Sequence, residues 1–243
     1  MKTFEKLKKE LLTRAKNADA CQPGYAMGLR SNTKADLLKA ITENWFWVLE
    51  DAKIVDAEYL EDNFTEEELS QAGIYTKNTH EVRTASFAYD SATVNACGSA
   101  TVNACGSATV KACGSATVKA YDSATVNACG SATVKAYGSA TVNAYGSATV
   151  KACGSATVKA CGSATVEAYG SATVEAYDSA TVKACGSATV EAYDSATVKA
   201  YENSYVEDCT GNIRPESDYA IVKDYYNHKI YIKKGKFEII EID

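Results

Sequence analysis

From Ser91 to Ser195 the tetrapeptide Ser-Ala-Thr-Val recurs every eight residues, 14 times, with no insertion or deletion. The full unit is Ser-Ala-Thr-Val-x-Ala-(Tyr/Cys)-(Gly/Asp), and x is only Lys, Asn or Glu. A degenerate unit, Asn203–Cys209, follows, and Phe87–Asp90 leads in, so the array spans about residues 86–210. A repeat this regular decides the fold before any other feature is weighed. A period of eight is no clean multiple of the helical 3.6, so an apolar helical stripe would drift from unit to unit. The β-branched Thr and Val and a Gly-Ser or Asp-Ser step in every unit also disfavour a long helix. Period-two alternation fits: Ala92, Val94 and Ala96 share one face, Thr93 and Asn95 the other. Because x is charged or an amide, its face is outside and the Ala-Val-Ala face inside. Gly98-Ser99 or Asp122-Ser123 then forms the corner, where Gly and Asp tolerate left-handed backbone.

One octad makes one strand and one corner, and an interior needs at least two facing walls. Two octads give a 16-residue flat coil; three would give a 24-residue triangle, and the small inner Ala and Val favour the flat form. The expectation is a mainly β protein with a central parallel β-solenoid, two octapeptides per coil, in which Val94 stacks on Val110 and Val102 lies on the opposite wall. A triangular coil would stack Val94 on Val118 instead. The array predicts seven to eight coils and a rod about 35 Å long at ~4.8 Å per coil. The core is thin: each coil buries two Val, worth about 1.5–3 kcal/mol each. Backbone ladders and stacked identical side chains supply the rest.

The octad, for example Tyr137-Gly-Ser-Ala-Thr-Val-Asn-Ala144, resembles the octapeptide of bacterial ice-nucleation proteins. That resemblance covers about half the chain and implies a β-solenoid of 16-residue coils with tyrosine, serine and threonine ladders. The Ser-Ala-Thr-Val octad is closer still to uncharacterised octapeptide-repeat proteins of bacteria and their phages, which carry a similar helical N-terminal segment. This second resemblance implies a fold and no activity.

Residues sixteen apart stack, so the Tyr/Cys position forms two columns. One reads Tyr89, Cys105, Tyr121, Tyr137, Cys153, Tyr169, Cys185, Tyr201; the other Cys97, Cys113, Cys129, Tyr145, Cys161, Tyr177, Tyr193, Cys209. Strict alternation turns these side chains outward, although they sit beside the corner. Two readings stand: an aromatic and thiol stripe for a partner or for a side-by-side homodimer, or a stacking ladder that steadies the corner. The candidate interaction residues are Tyr89, Tyr121, Tyr137, Tyr145, Tyr169, Tyr177, Tyr193 and Tyr201. Eight of nine Cys lie in these columns, and each gives way to Tyr in a neighbouring unit, which a fixed disulfide framework would not allow. Free thiols are expected. Without a Cys-x₂-Cys pair and with only His80 and His228, no metal site and no cofactor is expected.

The x position runs Asn95, Asn103, Lys111, Lys119, Asn127, Lys135, Asn143, Lys151, Lys159, then Glu167, Glu175, Lys183, Glu191, Lys199. Read in order, one end is mildly basic and the other mixed or acidic. The near-identical units, in which Cys/Tyr, Gly/Asp and Lys/Glu interconvert by single transitions, point to expansion by duplication. Residues 90–209 hold seven Lys against ten Asp plus Glu, too small an excess for a DNA mimic, and the whole-chain charge of −6 disfavours nucleic acid as a partner. Ice binding is a minor alternative, because the charged x column interrupts a flat Thr array.

The ends differ from the array. Residues 1–80 read as a helical N-terminal cap, 81–211 as the solenoid and 212–243 as a C-terminal β-meander cap. Phe4, Leu7, Leu11 and Ala15 mark a first helix with Thr3 as N-cap, broken by Gln22-Pro-Gly24. Thr33 caps a second helix through Leu37, Leu38, Ile41, Trp45 and Val48, and Thr65–Glu68 is a capping box. Trp45-Phe46-Trp47 reads as core of this helical domain, with a binding surface as the other reading. Tyr219–Val222, Lys229–Ile232 and Phe237–Ile242 read as strands with turns at Asn227-His228 and Lys234-Gly235; Lys229, Lys233, Lys234 and Lys236 form a modest basic spot.

The start, MKTFEKLKKELL, lacks the apolar run of a secretory signal, and no apolar run is long enough for a membrane span. A cytoplasmic protein is expected. No phosphate loop, nucleophile elbow or paired-carboxylate motif is present, so no enzyme is expected. The leading expectation is a non-catalytic structural or protein-interaction solenoid, of phage or mobile-element origin, with an unidentified protein partner. The alternative is a host-directed or nucleic-acid-directed inhibitor encoded by a mobile element.

Overall fold

The computed structural model describes residues 1–233; the expected strand Phe237–Ile242, the Lys234-Gly235 turn, Lys234 and Lys236 lie outside the described residues. The chain divides into two compact units, Met1–Asn78 and one beginning at Thr79.

The first unit is helical, with α-helices Phe4–Asn17, Gln22–Arg30, Lys34–Glu43, Ala57–Asn63 and Glu66–Gln71 around Leu7, Leu38, Leu60 and Phe64. The capping boxes Thr33/Asp36 and Thr65/Glu68 are both formed. Thr3 is the N-cap residue by position, but its side chain makes no capping bond. Gln22-Pro-Gly24 does not simply break a helix. Pro23 falls in the first turn of the next one, where a fixed φ and a missing N–H cost nothing. The Trp45-Phe46-Trp47 cluster is not core: Phe46 is 50% exposed and both Trp are half-buried. After Asn44 the chain takes a π-helical turn, Phe46–Asp51, whose wider winding brings Val48 and Leu49 to the buried side in place of the Trp residues.

The second unit is a parallel β-solenoid of flat, two-walled coils. The first wall carries eight strands from Ala85–Ala88 to Thr197–Ala200; the second carries ten parallel strands from Thr79–Val82 to Ile221–Asp224. Val94 pairs in register with Val110, and Val102 pairs with Val118 on the other wall, so two octads make a coil. The solenoid has about nine coils rather than seven to eight, because divergent flanks continue it. Thr79 pairs with Thr93, 14 residues on, in a shortened first coil, and Ile221 pairs with Tyr205, 16 residues back. Strand Lys229–Ile232 then pairs antiparallel with Ile221–Asp224 and closes the meander.

Inside, every Ala and Val from Ala108 to Ala176 is fully buried. The corners are laddered as well. Ser115 N donates to Gly98 O at 2.8 Å and Ser147 N to Gly130 O at 2.9 Å, in each case one coil back. The residue before each corner Ser is left-handed, with φ of +53° to +73° whether it is Gly or Asp in the repeat. Corner backbones approach so closely that a Cβ at Gly146 would lie 3.3 Å from Gly130 O. Three of the acidic corner residues compensate: Asp178 accepts a 2.8 Å bond from Gly162 N, Asp194 a 3.2 Å bond from Asp178 N, and Glu202 a 2.5 Å bond from Gly186 N. The regular pattern ends where Asp208 and Asp224 replace Ala on the inner face. Buried Asp208 takes N–H bonds from Thr210, Gly211 and Ile213, and Asp224 from Asn227, which turn the chain out of the octad path.

Gly146→Ala therefore meets left-handed strain with no new bond, and should cost about 1–2 kcal/mol. Gly146→Asp should cost distinctly less, because its carboxylate reaches the corner N–H of Gly130. Denaturant midpoints of the two variants measure this order.

Candidate functional site

An apolar cavity of about 90 Å³ lies in the helical unit, lined by side chains such as Leu11, Leu37, Ile41, Trp47 and Ile54. The amide nitrogen of Asn44, its one amide side chain, is spent on Ala40 O at 2.9 Å and the Met27 sulfur at 3.6 Å, and most of the lining is apolar. The solenoid interior is filled by Ala and Val. Variable chemistry lies outside, on the two walls.

Each wall presents three outward columns, Thr, x and Tyr/Cys, because these are the odd positions of a strand whose even positions are buried. The Tyr/Cys residues follow this alternation, but Cys105 and Cys185 are buried beside their neighbours. Tyr89, Tyr121, Tyr137, Tyr169 and Tyr201 follow strands of the first wall; Tyr145, Tyr177 and Tyr193 follow strands of the second. The structure thus splits the eight candidate tyrosines five and three. Tyr121 and Tyr137 stack at 5.0 Å and 15°, and Tyr177 and Tyr193 at 4.9 Å and 10°. Elsewhere a Cys separates neighbouring rings, so neither wall carries a continuous aromatic stripe. Tyr145, 44% accessible, is the most exposed of the eight, and the other seven are half-buried.

For four of these tyrosines, Tyr169, Tyr177, Tyr193 and Tyr201, the x column supplies a contact. Tyr169, Tyr177 and Tyr193 donate their hydroxyls to Glu167, Glu175 and Glu191, two residues back, at 3.1, 3.1 and 2.7 Å. Lysines of one coil cover rings of the next: Lys151 lies 4.9 Å from the Tyr169 centroid and Lys159 4.8 Å from that of Tyr177. The bond to the Glu191 carboxylate, with desolvation, holds the Tyr193 phenol well above its ordinary pKa; desolvation and the Glu175 bond raise that of Tyr177. All nine cysteines are free thiols, among them Cys113 and Cys129, whose sulfurs meet at 2.8 Å on adjacent coils. That contact, with burial, raises the Cys113 pKa. Among the described residues no cluster of three or more His, Cys, Asp or Glu is placed to hold a metal, and no helix is long and apolar enough to cross a membrane.

The fold rearranges the x residues. Successive units alternate between walls, so the first wall stacks Asn103, Lys119, Lys135, Lys151, Glu167, Lys183 and Lys199. The second stacks Asn127, Asn143, Lys159, Glu175, Glu191, Glu207 and Lys223. The first is mainly basic and the second acidic toward its C-terminal part. Reading the units in chain order merges two distinct columns into one shallow gradient. Comparison with protein families, curated proteins and solved structures gives no match.

A phenol whose pKa is raised on folding keeps its stabilising share below pH ~10 and loses it as pH climbs through the raised value. Alkaline titration followed by phenolate absorbance should show a late-ionising tyrosine class, and Glu191→Gln should move Tyr193 back toward pH ~10. Unchanged titration in that variant would remove Glu191 as the cause.

Proposed function

We propose that the chain is a non-catalytic structural and protein-interaction rod whose working surfaces are the two outer walls. The observation that carries this reading is the division of labour in the octad. The inner positions are invariant and sealed, whereas x and Tyr/Cys vary and stand outward in registered columns at strand spacing, about 4.8 Å. Repeat proteins use extended, regularly spaced surfaces of this kind to bind partners. A second reading, an inhibitor directed at a host protein or nucleic acid, draws on the Lys119-Lys135-Lys151 column, which presents stacked cations to an acidic target.

Replacing Lys119, Lys135 and Lys151 with Asn leaves residues the repeat already uses at x, so the fold should be unchanged by circular dichroism. In-cell cross-linking of the full chain should then lose its specific protein partners. Partners retained after both walls have been set to Asn at x would count against the outer columns as the working surface. Selective loss of cross-linked nucleic acid instead of protein would favour the inhibitor reading.

A further inference from the structure

Lys119, Lys135 and Lys151 stand directly over one another on the first wall, and Glu175, Glu191 and Glu207 do so on the second. Like charges on neighbouring strands destabilise each other. Among the described residues neither Lys119 nor Lys135 is paired with a carboxylate that would relieve this. The acidic run has partial relief from tyrosine hydroxyls and from Lys159, 4.0 Å from Glu175.

The two runs are related by a constant offset of 56 residues, seven octads: Lys119 to Glu175, Lys135 to Glu191, Lys151 to Glu207. The same offset carries Glu167, the next rung on the first wall, to Lys223, the next rung on the second. The charge reverses on both walls at the same step. Four consecutive rungs are therefore complementary, with no like-charge pair among them. Because x is the middle of three outward columns, x lies over x when one wall is laid on the other. Turned end for end, the match persists as Lys119–Glu207, Lys135–Glu191, Lys151–Glu175 and Glu167–Lys159.

We propose that the first wall of one copy docks on the second wall of another copy through these four charge pairs. The inference rests on the reading of the walls as working surfaces and names the partner as a second copy of the chain. A two-fold dimer through the first wall would instead bring its lysines toward one another. Docking of unlike walls leaves a free wall on each outer copy, so the contact continues into an open side-by-side array. In the same-direction register about five coils overlap; at ~4.8 Å per coil and ~14 Å of strand this is roughly 350 Å² per copy. A standard stable interface covers about 800 Å² per partner, so the single contact is weak and strongly salt-dependent.

Light scattering tests this at about 100 μM protein in low salt and at about 0.5 M salt, where screening shortens to a few Å. The mass should rise with concentration past two copies in low salt and fall to the monomer in high salt. Lys119→Glu/Lys135→Glu/Lys151→Glu makes both walls acidic and should be monomeric; Glu175→Lys/Glu191→Lys/Glu207→Lys makes the second wall basic like the first and should be monomeric as well. An equimolar mixture of the two should associate again. Since x accepts both Lys and Glu in the natural repeat, the variants should keep the fold, which circular dichroism checks. Glu167→Lys should weaken association, and Lys223→Glu or Lys159→Glu should rescue it in the same-direction or end-for-end register respectively. A wild-type monomer in low salt, a mass that stops at two copies, or association that survives the charge swaps would overturn the proposal. So would rescue by neither second substitution. Loss of self-association with cross-linked partners intact would leave the wall reading standing and remove only the second copy as partner.

Discussion

The backbone ladder between residues sixteen apart is the constraint from which the rest of this molecule follows. Parallel pairing in register places each side chain against its counterpart one coil away, so a residue is judged first by how it stacks on its own column. Ala and Val satisfy that test inside, where the facing walls leave little depth. The thin core makes the ladders at the corners matter as much as those in the strands, and Ser N to corner C=O bonds near 2.9 Å carry the pairing through the turn. Those bonds bring the corner backbones so close that a Cβ at Gly146 would sit 3.3 Å from the carbonyl of the coil before. The carboxylates of Asp178 and Asp194 accept N–H bonds from the coil before. At these two corners an Asp that looks like drift in the sequence is held by a hydrogen bond that only stacking creates.

How the array stops is governed by the same rule. A solenoid offers an open strand edge, and an uninterrupted inner Ala-Val face would invite further pairing. Asp208 and Asp224 enter that face in consecutive rungs, both nearly without solvent contact. Burying a carboxylate is tolerated only with its bonding capacity filled, and the segments just after each Asp bend so that their N–H groups fill it. The bend ends the octad path, and after the second one the chain returns antiparallel.

The solenoid was legible because its signal is repeated and local: alternation gives the walls, the octad gives the coil, and Gly or Asp gives the corner. Its extent was not, since Thr79–Val82 pairs at fourteen residues with His80 opposite Val94, and Ile221–Asp224 follows a stretch, Thr210–Tyr219, that lacks the octad sequence. The alternation in Ile221-Val222-Lys223-Asp224, the same inner Val and outer charge as Tyr205-Val206-Glu207-Asp208, is the signal that identifies the last rung. In the helical unit, the Thr33 cap and the Thr65–Glu68 capping box were readable from side-chain chemistry. The π-helical turn was not, because Trp45 and Val48 fit ideal α spacing and only packing shows that the winding changes after Asn44. The sixteen-residue arithmetic sets the order of the Tyr columns, while the cover over rings such as Tyr169 and Tyr193 comes from Glu and Lys neighbours on the same and the preceding coil. Most consequential was the x position, where chain order conceals that odd and even units face opposite ways.

That last point bears on how such a surface arises. The fold is nearly indifferent to x and to Tyr or Cys, so duplication and single substitutions alter the outer columns without touching the core. Duplication is not neutral toward the walls, however. Gain or loss of one octad exchanges the walls for every residue beyond it, whereas gain or loss of two shifts the columns by one rung and keeps each residue on its side. A lysine column on one wall and a glutamate column on the other, built from interleaved units, persist only while the number of octads between them changes in steps of two. The chain that shows them holds its strands in unbroken sixteen-residue register from Thr93 to Asp224, with every basic and acidic run intact on its own wall. The charge pattern therefore belongs to the coil as the unit of structure, and the octad is only the unit of sequence.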